Sequence, residues 1–135
     1  MTAIKISEFF DAKIVNCSFS IHNLCYENNY SYIVKESPTF FVCSLSDEKT
    51  DEQILVNSDN IVYIYYGKIN NFKGSADVNM ISVMLEKVNC FLFNEEIAHI
   101  ESNSCATAYA SNMLLNYMIE NECDMNADKA QSILR

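Results

Sequence analysis

Six cysteines, two histidines and eighteen carboxylates are the side chains of this 135-residue chain that are equipped for chemistry. Their spacing decides which chemistry. Cys17, Cys25, Cys43, Cys90, Cys105 and Cys123 lie far apart, whereas zinc wants close pairs such as Cys-x2-Cys with a second pair or His-x3-His. Most of them sit inside apolar strand-like or helix-like runs, which reads as buried free thiols and not as a disulfide scaffold. His22 and His99 stand in alternating segments with no Cys, Asp or Ser arranged as a triad needs. Glu95, Glu96 and Glu101 are the nearest thing to paired carboxylates, but adjacent residues of a strand point to opposite faces and cannot share one substrate bond. The chain holds no nucleophile elbow, no phosphate-cradling glycine loop and no His-Glu-x-x-His motif. The expectation is a protein without catalytic residues, metal or cofactor, and not an enzyme.

The formal charge of −9 argues against nucleic acid, whose phosphates demand a basic face, and favours basic partners. The acidic residues gather at Asp47–Glu52, Glu95–Glu96 and Glu120–Asp124. Such clusters are solvated loops and helix ends or a docking surface, and the sequence leaves both readings open. The first fifteen residues carry a charge every few positions, which suits neither a secretory signal nor a membrane span, so a cytoplasmic protein without membrane insertion is expected. With two glycines, one proline and no repeat, nothing marks a linker, and residues 1–135 read as a single domain.

The elements that would position these side chains follow from periodicity. Residues 3–12 suit a short helix with Ile6, Phe9 and Phe10 on one side, and the alternation over 17–35 suits half-buried antiparallel strands. Pro38 opens a strand, residues 47–58 are a polar excursion, and 60–69 is a strand apolar on both faces. Gly67, Asn70, Asn71 and Gly74 make a turn, and Asp77 caps a helix over 77–88 whose stripe is Met80, Ile81, Met84, Leu85 and Val88. That stripe is either core or a subunit interface. Residues 90–93 and 97–101 form a strand pair, 104–119 fits helix by propensity but also alternates as a strand, and 126–134 is a last helix capped by Asn126.

This order, with IVYIYYGKI, SADVNMISVMLEKVN and CFLFNEEIAHIE as strand, helix and strand, resembles the small acidic class I chaperones of bacterial type III secretion systems. ATAYASNMLLNYMIENECDMNADKAQSIL is similar to that family's fifth strand, acidic turn and final helix, and on this ground 106–117 is taken as a strand. The resemblance implies an α+β fold with an antiparallel sheet, in the order α-β-β-β-α-β-β-α, that dimerises. It implies a homodimer joined through Met80, Ile81, Met84, Leu85, Val88, Phe91 and Phe93. It implies a client, the extended N-terminal segment of a secreted effector, received by Ile6, Phe9, Phe10, Tyr30, Tyr32 and Phe40. The competing reading is an acidic immunity or inhibitor protein that blocks a basic toxin or nuclease through Asp47, Glu48, Asp51, Glu52, Glu95 and Glu96.

Overall fold

FFVCS and IVYIYY are runs of β-branched and aromatic residues with no polar side to turn to water, so each must be covered on both faces. In the computed structural model, which describes residues 3–18, 29–45, 55–67, 78–83, 89–91, 97–99 and 102–135, they are the two inner strands of a four-stranded sheet. The elements run α1 (Ala3–Phe9), β1 (Ile14–Cys17), α2 (Asn29–Glu36), β2 (Phe40–Ser44), β3 (Ile61–Tyr66), β4 (Met80–Val83), β5 (Asn89–Phe91), β6 (Ile97–His99), α3 (Asn103–Asn121) and α4 (Ala127–Leu134). The sheet order is β1-β2-β3-β4 and all three pairings are parallel, while β5 and β6 form a separate antiparallel pair.

Parallel neighbours need crossovers, and crossovers of one hand that step in one direction land on one face of the sheet. Val34 of α2, Leu55 and Val56 before β3, and Val78 before β4 accordingly pack in a single cluster with Phe41, Cys43, Ile61, Tyr63 and Ile4 of α1. The opposite face, carrying Phe40, Val42, Val62, Ile64, Ile81 and Val83, is closed by α3 and α4. The inward side of α3 is Ala106, Thr107, Ala110, Ser111, Leu114 and Met118, spaced for one helix face. Four of these six are small, which lets the helix axis lie close to the sheet. The hydroxyls of Thr107 and Ser111 donate to the carbonyls one turn back, at 2.7 and 2.8 Å, so their burial leaves no unpaired donor.

Asparagines fasten the layers. The Asn103 side chain donates to the Leu45 carbonyl at 3.0 Å and accepts from the Tyr66 amide at 2.7 Å, clamping the start of α3 to the ends of β2 and β3. Asn60 donates to the carbonyls of Val34 and Ser37 at 2.6 and 2.9 Å, binding the end of α2 to the turn before β3. Asn79 donates to the Ser58 carbonyl at 2.9 Å. Ser102 caps α3 by accepting from the Cys105 amide, and Asn126 caps α4 as its sequence position suggests.

Several expectations are corrected here. The main sheet is parallel, not antiparallel, and the element order differs from α-β-β-β-α-β-β-α. Residues 80–83 are strand β4, not the middle of a helix: Ile81 and Val83 turn inward, Ser82 outward, and pairing with Tyr63–Tyr66 outweighs the helical stripe. Residues 103–121 are a continuous helix, so the strand taken for 106–117 on resemblance is overturned and propensity prevails. Residues 29–36 are helix α2, where alternation suggested strand. The strand pair near 90 and 97, the strand after Pro38, the strand within 60–69 and the last helix are present. Asp77, residues 19–28 and residues 84–88 lie outside the described residues.

Removing the Asn103 clamp should orphan a buried carbonyl and an amide, so Asn103→Ala is expected to cost about 2–4 kcal/mol in urea unfolding. Ala110→Leu, which wedges α3 away from the sheet, is expected to cost about 1–3 kcal/mol by the same measurement.

Candidate functional site

α1 is seven residues long and has one buried side, formed by Ile4 and Ser7. Its end is fixed by backbone geometry. Asp11 adopts a left-handed φ of 50°, and the amides of Asp11 and Ala12 donate back to the carbonyls of Glu8 and Ser7 at 3.0 and 2.9 Å. This pair of bonds is a Schellman closure with aspartate in the position glycine usually takes. Lys13 then reaches the Asp11 carboxylate at 3.0 Å. The closure leaves Phe9 and Phe10 pointing into solvent, 80% and 72% exposed, with their rings edge to face at 5.1 Å. Ile6, one turn earlier on the helix, is exposed beside them.

A groove of about 230 Å³ opens at the same end of the molecule, lined by Glu8 in α1, Asp11 and Lys13 after it, Thr39 and Phe40 at the start of β2, and Met118, Asp124 and Met125 around the α3–α4 turn. It is smaller than ordinary small-molecule sites and mixes carboxylates with apolar walls. It contains no cysteine or histidine. Among the described residues no group of three or more His, Cys, Asp or Glu could hold a metal ion, and no buried side-chain polar atom lacks a partner. Open parallel sheets bind ligands where the strand order reverses. The order β1-β2-β3-β4 has no reversal, so the described sheet has no switch point of that kind.

The residues singled out from the sequence fall into separate places. Ile6, Phe9, Phe10 and Tyr32 are exposed, the first two on α1, Phe10 in the turn that closes it and the last on α2, helices that pack on the same face of the sheet. Phe40 is 2% exposed and faces the α3 layer, because β2 is an inner strand with both sides covered. Met80 is half-buried and Ile81 is buried in the core, committed to the protein's own interior. Phe91 is paired with Ile97 through the backbone. Met84, Leu85, Val88 and Phe93, like Asp47 to Glu52, Glu95 and Glu96, lie outside the described residues, as does the side chain of Tyr30.

Sequence reasoning missed further exposed apolar residues on α3, Tyr109, Leu115 and Ile119 on its outer side and Tyr117 at the flank of its packed side. The signal was present: once Ala106, Ala110 and Leu114 are assigned inward, helical geometry turns Tyr109, Leu115 and Ile119 away from the sheet. No described helix is long and apolar enough to cross a membrane. No protein-family model matches the chain, and no curated protein or solved structure matches it either.

Because Phe9 and Phe10 touch solvent and not the core, Phe9→Ala and Phe10→Ala should each change unfolding free energy by less than about 1 kcal/mol. Phe41→Ala, which empties a buried site beneath α2, should cost about 3–5 kcal/mol in the same denaturant titration.

Proposed function

We propose that the protein is a non-enzymatic binding protein that captures an apolar segment of a partner protein on α1. The observation that carries this reading is the Phe9–Phe10 pair, held outward by a closed helix end and mostly exposed. A lone exposed apolar residue is ordinary, but Ile6, Phe9 and Phe10 are contiguous and aromatic-rich, the composition of contact surfaces. The effector-chaperone reading is one form of this function, with the N-terminal segment of a secreted protein as client and a homodimer as its working state. The strand and helix order that suggested that family is not the order of this fold, so the specific client now rests on the exposed α1 surface alone.

The second reading, an acidic blocker of a basic partner, is favoured by the carboxylates of Glu8, Asp11 and Asp124 around the groove. The two make opposite demands on salt. Apolar capture changes little with ionic strength, whereas charge-steered association slows sharply as the screening length falls to about 8 Å.

Selection from a library of unstructured peptides should enrich sequences with spaced apolar residues, and Phe9→Ala with Phe10→Ala should weaken the winners at least about tenfold. Their affinity should hold across a salt series. A steep salt dependence removed by neutralising Glu8, Asp11 and Asp124, with the Phe variants unaffected, would overturn apolar capture in favour of the blocker.

A further inference from the structure

Strand register brings together two cysteines that are 26 positions apart in sequence (43 − 17 = 26). β1 and β2 run parallel with Cys17 directly opposite Cys43. Register partners place their side chains on the same face, and neighbouring strands are about 4.8 Å apart, inside the Cα separation that a disulfide spans. Both thiols are free and buried, Cys17 8% and Cys43 1% exposed, in the apolar layer shared with Ile4, Val34 and Val56. They share one packed cluster. Hydrogen bonding from the Cys43 thiol lowers Cys17 below the ordinary thiol value, against the opposing effect of burial. The same interaction, with burial and the neighbouring Cys17 charge, pushes Cys43 well above it. One member of the pair is therefore disposed to ionise and the other to keep its proton.

We propose that Cys17 and Cys43 are a thiol–disulfide redox pair, with Cys17 the nucleophile toward a hydroperoxide and Cys43 the resolving thiol, so that oxidation ties edge strand β1 to β2. In the first step the Cys17 thiolate attacks one peroxide oxygen. The O–O bond breaks, the departing oxygen takes up a proton and leaves as water or alcohol, and Cys17 becomes a sulfenic acid. In the second step the Cys43 sulfur attacks the Cys17 sulfur. The S–O bond breaks, and the hydroxyl leaves as water with the proton Cys43 gives up. Two thiols lose two electrons and one hydroperoxide gains them.

Position in the sheet suits this chemistry. Cys17 is the last residue of β1, and β1 has one strand neighbour among the described strands to move against. The next residue, Ser18, exchanges hydrogen bonds with Ser104 of α3 at 3.1 and 2.9 Å, which holds the strand end in place before any bridge forms. The closed loop would contain all of α2, the crossover helix that covers that face among the described residues. Cys105 and Cys123 are half-exposed, and neither occupies a register position against another cysteine among the described strands.

The test uses the full reduced chain and one equivalent of hydrogen peroxide at neutral pH, followed by thiol trapping in denaturant and peptide mapping. Two of the six thiols should disappear together, a Cys17–Cys43 linked peptide should form first, and dithiothreitol should reverse it. Cys105→Ser and Cys123→Ser should leave the rate unchanged, and Cys43→Ser should stop at a Cys17 sulfenic acid that dimedone traps. In the unsubstituted protein, which needs no variant to fold, iodoacetamide should alkylate Cys17 at least tenfold faster than Cys43. A first bridge involving any other cysteine, sulfinic acid at Cys17 with no linked peptide, or equal alkylation of the two would overturn the proposal.

Discussion

The constraint on which this structure depends is that β2 and β3 have no wet side. A parallel inner strand spends its backbone on two neighbours and its side chains on two faces, so it folds only if two covers are supplied. The chain supplies them from different places: α1, α2 and the crossover residues Leu55, Val56 and Val78 on one face, α3 and α4 on the other. Burying each large aliphatic or aromatic side chain of these strands contributes about 1.5–3 kcal/mol, so the two covers outweigh any single hydrogen bond in the molecule. The asparagine clamps then decide where each cover sits. Asn103 fixes α3 against the ends of β2 and β3, and Asn60 fixes α2 against the turn before β3.

What was legible in the sequence was local and what was not was pairing. IVYIYY announces a doubly buried strand, Pro38 marks the start of its neighbour, and Asn126 marks the last helix, because each rests on residue type and short-range geometry. A doubly buried strand is in fact the signature of a parallel sheet, and that inference was available. Met80 to Val83 carries a helical spacing over too few residues to separate period 3.6 from period 2, so its partner β3 settles the matter. The exposed positions of Phe9 and Phe10 could be suspected from two aromatics near a helix end. The closure at Asp11 could not, since aspartate is an uncommon occupant of the left-handed position. The juxtaposition of Cys17 with Cys43 is a consequence of register between distant segments and has no local signal at all.

The helix α1 does two jobs with opposite faces. Ile4 and Ser7 complete the core, and Ile6, Phe9 and Phe10 stay outside it, so the exposed apolar surface is held on the same short helix and its closing turn that anchor it. A surface held this way is pre-formed, and a segment that binds it gives up its own freedom without asking the protein to rearrange. The groove beside it adds the carboxylates of Glu8, Asp11 and Asp124 to the same end of the molecule.

The one-way order of the sheet also sets a direction for its assembly. As the chain emerges from the ribosome, each strand finds its predecessor already at the growing edge, and α2 with the later crossovers shields one side as it goes. The other side, Phe40, Val42, Val62 and Ile64, waits for α3, whose first residue is Asn103. A nascent chain of this protein therefore carries a half-dressed sheet until most of its length has been synthesised, with its stickiest residues bare in a crowded cell. Completion is sealed late, by a helix whose small side chains let it settle flat in one movement.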